Sequence, residues 1–171
     1  NFVSTRAHAP LFFSDHKWAV AARWPNEGWA YFTKAVDSGL RSRIRGGIAP
    51  DAPAVAGSFV FDSDRPSKWN FEEGVYLAGY FTHDWAYELL KADSFVVTPS
   101  NRVMKMRGAA QYGLASGTWS SEKGRRFYAY NIRAELDAPG EFFYDRKTKK
   151  VDFIPPPGGV EEFRAVTKGG P

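Results

Sequence analysis

Residues 126–157, RFYAYNIRAELDAPGEFFYDRKTKKVDFIPPP, constrain the fold more than any other run of the chain. Phe127-Tyr128-Ala129-Tyr130 is aromatic-rich and reads as a strand. Asn131 is placed to cap a short helical turn, with Ile132 and Leu136 at i and i+4 on one side of it. Pro139-Gly140 stops that turn. Glu141 to Asp145 reads as a strand, Arg146 to Lys149 as a polar turn, and Val151 to Ile154 as the returning strand. Pro155, Pro156 and Pro157 end the pairing, because proline donates no ladder hydrogen bond. A lone hairpin is not stable in water, so other aromatic strands must pack on this one.

Those strands are available. The chain has 171 residues, with 14 Phe, 8 Tyr and 6 Trp, enough for one domain with a sizeable core. It has no cysteine, which removes disulfides and thiolate zinc sites. No run of about 18 apolar residues occurs, so no membrane partner is expected. Asn1 opens the sequence without a visible signal peptide, which fits an excised or processed segment. The net charge is +4, with cations grouped at Arg41, Arg43 and Arg45, at Lys123, Arg125 and Arg126, and from Arg146 to Lys150. Each group falls in an expected loop or hairpin end, so solvated turns are the plainer reading. Acidic polysaccharide also fits the charge; a nucleic-acid partner is not expected, since no base-reading motif accompanies it.

Short strands are expected at Leu11–Phe13, Trp18–Trp24, Trp29–Val36, Ser58–Phe61, Val75–Phe81, Trp85–Leu90, Ala92–Thr98 and Arg102–Met106. Pro66 to Phe71 reads as one helical turn carrying Trp69. Residues 39–57 and 108–124 are rich in Gly and read as long surface loops, and 160–167 as an exit strand. No repeat is evident, which argues against a stacked-coil fold. The fold class expected is all-β with one or two short helical turns: a compact antiparallel β-sandwich or barrel-like domain, not itself a β-helix.

Chemistry-bearing residues are sparse. Glycoside hydrolysis needs two carboxyl groups about 5–10 Å apart. Asp84 and Glu88 flank Trp85, and Glu135, Asp137 and Glu141 crowd the helical turn. Turn hydrogen bonding accounts for Asp84 and Asp137 more simply, so no catalytic residue is assigned. His8, His16 and His83 lack metal-ligand spacing, and neither a nucleophile elbow nor a phosphate loop is present, so no metal or cofactor is expected. The aromatics are the better signal, because a Trp or Tyr ring covers the apolar face of a sugar while Arg or Asn binds its hydroxyls. Arg23, Trp24 and Asn26 gather a cation, an indole and an amide around Pro25; Tyr80, Asp84 and Trp85 form a second such group. These six are the candidate ligand-binding residues. The competing reading makes Trp24 and Trp85 core anchors or docking residues.

Three stretches in order, Ala22-Arg23-Trp24-Pro25-Asn26-Glu27-Gly28, Gly79-Tyr80-Phe81-Thr82-His83-Asp84-Trp85-Ala86 and the run 126–157, resemble the insertion domain of glycoside hydrolase family 141-type right-handed parallel β-helix proteins. The resemblance spans about Leu11 to Pro157. It implies a leading segment (1–10), a β-domain (11–157) and an exit segment (158–171). It further implies a non-catalytic accessory domain of a bacterial, secreted, polysaccharide-degrading protein, periplasmic or extracellular, that shapes the glycan cleft or steadies the parent fold. Its partners would be a poly- or oligosaccharide and the parent's β-helix, and catalytic carboxylates would lie on that β-helix. A stand-alone carbohydrate-binding module for acidic polysaccharide and an interaction or oligomerisation domain are the alternatives. Two departures stand out: Lys149 sits where the hairpin turn usually has Gly, and Phe142-Phe143 replace a Trp-Tyr pair, removing two polar handles.

Overall fold

The computed structural model describes residues 11–15, 17–39, 43–44, 47–48, 55–114 and 125–166. His8, His16, Arg41, Arg45, Lys123 and much of the two Gly-rich loops lie outside these. Among the described residues the chain is mainly antiparallel β-structure, as expected, with three short 3-10 turns where one or two were expected and one parallel pair, Glu141–Phe142 beside Val20–Ala21. Its strands are β1 (Leu11–Ser14), β2 (Lys17–Trp18), β3 (Val20–Ala21), β4 (Arg23–Trp24), β5 (Ala30–Tyr31), β6 (Lys34–Asp37), β7 (Arg43–Ile44), β8 (Gly47–Ile48) and β9 (Ser58–Val60). Then come β10 (Tyr76–Tyr80), β11 (Tyr87–Val97), β12 (Arg102–Met106), β13 (Arg126–Tyr130), β14 (Glu141–Tyr144), β15 (Val151–Phe153) and β16 (Phe163–Val166).

The main sheet has eight strands in the order β4-β13-β10-β11-β12-β9-β6, with β5 also on β13. It folds over on itself at β11. Tyr87–Lys91 pair with β10, whereas Ala92–Val97 pair with β12, and the register shifts at Ala92/Ser94. A bulge bends its strand and raises the local twist, which turns one sheet into two leaves. The segment Ala30–Asp37 joins the leaves on the other side, since β5 pairs with β13 and β6 with β9. The ladders do not run on into a closed barrel, and the molecule is a sandwich.

Period-two alternation decides what lies between the leaves. Leu77, Leu90, Phe127 and Ala129 point inward from the first leaf, and Phe59 and Met104 from the second. Phe127 is fully buried, with its ring centroid 5.5 Å from Phe59, 5.2 Å from Phe61 and 6.5 Å from Phe81. Gly79 lies opposite Phe127, and a Cβ there would sit 2.2 Å from the Arg126 carbonyl oxygen. The missing side chain lets β10 and β13 approach.

Two smaller sheets flank the sandwich, β16-β1-β2 and β15-β14-β3, and β7-β8 form a hairpin. The β14–β15 hairpin follows the sequence reading. Asp145 Oδ1 accepts the Lys147 and Thr148 amides, and Lys149 takes a left-handed φ of 60°. The turn therefore keeps the geometry glycine favours while using lysine. Asn131 departs from expectation: it does not cap the turn Arg133–Glu135, whose cap residue is Ile132. Its φ is 58°, and its amide pairs with the backbone of Tyr144 through bonds of 3.1 and 3.3 Å, acting as one more rung beside β14. Phe142 and Phe143 are both buried, so their side chains serve the interior.

Candidate functional site

The crowded carboxylates are structural. Glu135 is fully buried and receives Nε and Nη2 of Arg65 and the Trp69 indole N–H at 2.6–3.1 Å. Carboxylates so satisfied tie two loops together and are withheld from a substrate. Glu141 is also buried; Oε2 accepts the Asp137 and Ala138 amides, and Oε1 accepts the Arg23 amide at 3.4 Å. Glu141 thus fills the turn-stopping role expected of Asp137. Asp137 itself binds the Asn26 amide at 2.8 Å and lies 3.5 Å from Arg65.

The six candidate ligand residues separate into four settings. Trp24 points into the sandwich, its ring 5.7 Å from Phe61 and 6.2 Å from Trp69. Asn26 is held by Asp137. Asp84 and Trp85 belong to the turn between β10 and β11, where Trp85 is 66% exposed. Trp85 stacks on His83 at 5.0 Å with an interplanar angle of 6°, and Tyr112 meets both rings edge-on. Arg23 and Tyr80, by contrast, arrive on the same surface, the outer face of the first leaf.

That surface is a lattice of tyrosines and cations. Ladder pairing sets Arg23, Tyr130, Tyr76 and Lys91 in one row across four strands. Tyr31, Arg126, Tyr80 and Tyr87 make a parallel row. Between the rows lies Tyr128-Ala78-Leu89. Ala78 is small enough for the Tyr87 and Tyr128 hydroxyls to meet above its strand, 2.9 Å apart. Trp29 packs against Tyr80 and Tyr128 at 5.7 and 5.6 Å.

The cations lie over the rings. The guanidinium carbon of Arg23 is 3.8 Å from the Tyr128 centroid, that of Arg126 4.2 Å from Tyr80, and that of Arg146 4.7 Å from Tyr76. Cation–π attraction of this kind contributes about 0.5–1 kcal/mol where solvent reaches it. Burial raises the Tyr87 and Tyr130 phenols, Tyr130 to about 12, with the Tyr87–Tyr128 bond adding to the former. Both stay protonated and able to donate at any ordinary pH. Trp29, Tyr87, Arg126 and Tyr128 were missed by motif reading. The signal was present as alternation, Arg126-x-Tyr128-x-Tyr130 against Tyr76-x-Ala78-x-Tyr80.

Beneath the Trp85 turn, Glu88 faces inward, 9% exposed. Its Oε2 accepts the Gln111 amide at 2.7 Å, and Oε1 has no partner among the described residues. Burial pushes its carboxyl up, against the lowering effect of the Gln111 bond. No group of three or more His, Asp or Glu among the described residues is placed to hold a metal. An open cavity of about 700 Å³ lies at Asp15 and Pro157–Glu162, at the flanking sheet and away from the lattice. There Asp15 Oδ1 is occupied by the Glu161 and Glu162 amides.

The fold and this face define an antiparallel β-sandwich domain carrying a flat aromatic and cationic surface. No family model matches the sequence, and no curated protein does. A solved structure of a glycoside hydrolase is similar in fold: 86% of this chain superposes on 24% of that one, with a TM-score of 0.55 and 15% sequence identity. The chain spans about a quarter of the length of that protein. At such identity the likeness is one of architecture.

Proposed function

We infer that this chain is a non-catalytic accessory β-domain of a larger bacterial carbohydrate-active protein, working outside the cytoplasm. There it helps wall a glycan cleft or steadies a parent β-helix. The observation that carries this reading is the unequal coverage: most of this chain corresponds in fold to a minor part of a glycoside hydrolase. Fold likeness alone does not transfer chemistry, so the side chains must agree with it. What supports the non-catalytic part of the reading is that Glu135 and Glu141 are buried and bound within the domain. The pairing of Leu11 with Val166 adds support, since it brings β1 and β16 side by side. An inserted domain needs that closeness of its two connections.

The test is turnover. The isolated chain, incubated with aryl glycosides and with plant and microbial polysaccharides, is expected to release no sugar above the buffer blank. Enzyme-like hydrolysis that disappears in Asp84→Asn or Glu88→Gln would overturn the reading.

A further inference from the structure

The turn between β10 and β11 carries an aromatic cluster of its own. His83, Asp84, Trp85 and Ala86 form the turn, closed by the Ala86 amide donating to the His83 carbonyl at 3.1 Å. Trp85 lies stacked on the His83 imidazole, and Tyr112 stands nearly perpendicular to both rings. With one flat side against His83, the indole is still 66% exposed, so its other side is turned to solvent. It is the most exposed large apolar side chain among the described residues. The turn is also tied down from below. The buried Thr82 hydroxyl donates to the Gly113 carbonyl at 2.6 Å, and Glu88 accepts the Gln111 amide at 2.7 Å. The turn and residues 110–113 are therefore one fixed unit, and a ring already locked in place loses little freedom on binding.

The surroundings of the ring choose among occupants. From Phe81 to Ala86 the chain has one carboxylate, Asp84, and no Lys or Arg, and residues 109–114, AAQYGL, carry no charge. Asp84 is exposed, and its carboxylate accepts no hydrogen bond among the described residues. A carboxylate with free lone pairs accepts sugar hydroxyls and repels phosphates and uronates. Nucleic acid and acidic glycans are thereby disfavoured. A stable protein contact covers about 800 Å² on each side around an apolar centre, and one indole beside a carboxylate is far smaller. A pyranose unit has C–H groups on its flat side and hydroxyls around its rim. It matches the indole in size and the carboxylate in hydrogen bonding.

We propose that the Trp85 turn is a stacking platform for a neutral glycan chain, with the indole covering the C–H face of one pyranose unit and Asp84 accepting its hydroxyls. The proposal rests on the carbohydrate reading above and names the glycan class and the residues that meet it. Binding needs no bond to form or break.

Calorimetric titration with a soluble β-glucan, a galactomannan, an arabinoxylan and polygalacturonate tests it. The expected result is binding to at least one of the neutral glycans in preference to polygalacturonate, with an affinity that added salt leaves unchanged, since no ion pair forms. Trp85→Ala is expected to lower that affinity at least about tenfold, and Trp85→Phe, which restores a ring, to return it to within about threefold. Trp18→Ala removes another exposed indole, on β2, and is expected to keep wild-type affinity. Thermal melts establish that each variant is folded. No binding to any neutral glycan, equal or greater affinity for polygalacturonate, or an equal loss in Trp18→Ala overturns the platform and leaves the accessory-domain reading standing. Self-association that Trp85→Ala abolishes, read by light scattering, assigns the ring to a protein contact and likewise overturns it. Release of sugar from a bound glycan overturns the accessory-domain reading instead and leaves the platform in place.

Discussion

Glu88 places a carboxylate on the inner face of a leaf otherwise lined by Leu77, Leu90 and Phe127, with one oxygen unpartnered. A buried charge with incomplete hydrogen bonding costs stability. Its carboxyl is raised by burial, so its favourable contribution is complete below the unfolded value of 4.5 and is lost as pH rises through the folded value. Glu88→Gln keeps an oxygen for the Gln111 amide and removes the charge. It is expected to stabilise the protein at neutral pH by about 1 kcal/mol, with the gain vanishing in acid, as read from urea unfolding at a series of pH values. Tyr130 has the same sign at the other end of the scale. Its stabilising effect is full below pH 10 and is lost as pH climbs to about 12. Absorbance titration at alkaline pH is expected to show its phenol ionising later than an exposed tyrosine, and Tyr130→Phe is expected to shrink that late phase, leaving the part that belongs to Tyr87.

Among the elements, the β14–β15 hairpin was the most legible in the sequence. Its strands, its proline stop and the awkward lysine could all be read, because each rests on local backbone chemistry. Lys149 indeed adopts a left-handed φ. Lys149→Gly relieves that strain and is expected to add about 0.5–1 kcal/mol, measurable as a higher urea midpoint at unchanged slope. Other elements were read less well for definite reasons. Trp85–Leu90 and Ala92–Thr98 read as two strands but form one, β11, because the bulge at Ala92/Ser94 breaks the phase of the alternation. Trp18–Trp24 read as one strand and is divided among three partners, β1, β14 and β13. Asn131 read as a cap from residue type alone, whereas its left-handed φ turns the amide toward Tyr144. The candidate site was half legible. Arg23 and Tyr80 are legible as site residues, but neighbours such as Arg126 and Tyr128 come from a strand distant in the chain, and only ladder register unites them.

At the scale of the whole molecule, the two leaves share a single interior. Phe127 belongs to the first leaf and touches Phe59 and Phe61 of the second leaf and its connection. Phe127→Ala is expected to cost about 3–5 kcal/mol, the range for a buried aromatic. It should shift unfolding of both leaves together, with near- and far-UV dichroism and tryptophan emission superimposing. Separate transitions would show that the leaves are independent. The fold class itself was readable from many short aromatic strands without repeats. How the leaves join was not, since it depends on where one strand changes partner.

That change of partner has a consequence for anyone re-engineering the chain. β11 serves two ladders at once, so adding or deleting a residue before Ala92 would rotate every following side chain of the strand to the opposite face. Foreign peptide is better grafted at the Thr98–Asn101 reversal. There the backbone bonds to itself, and Ser100 and Asn101 are exposed to solvent.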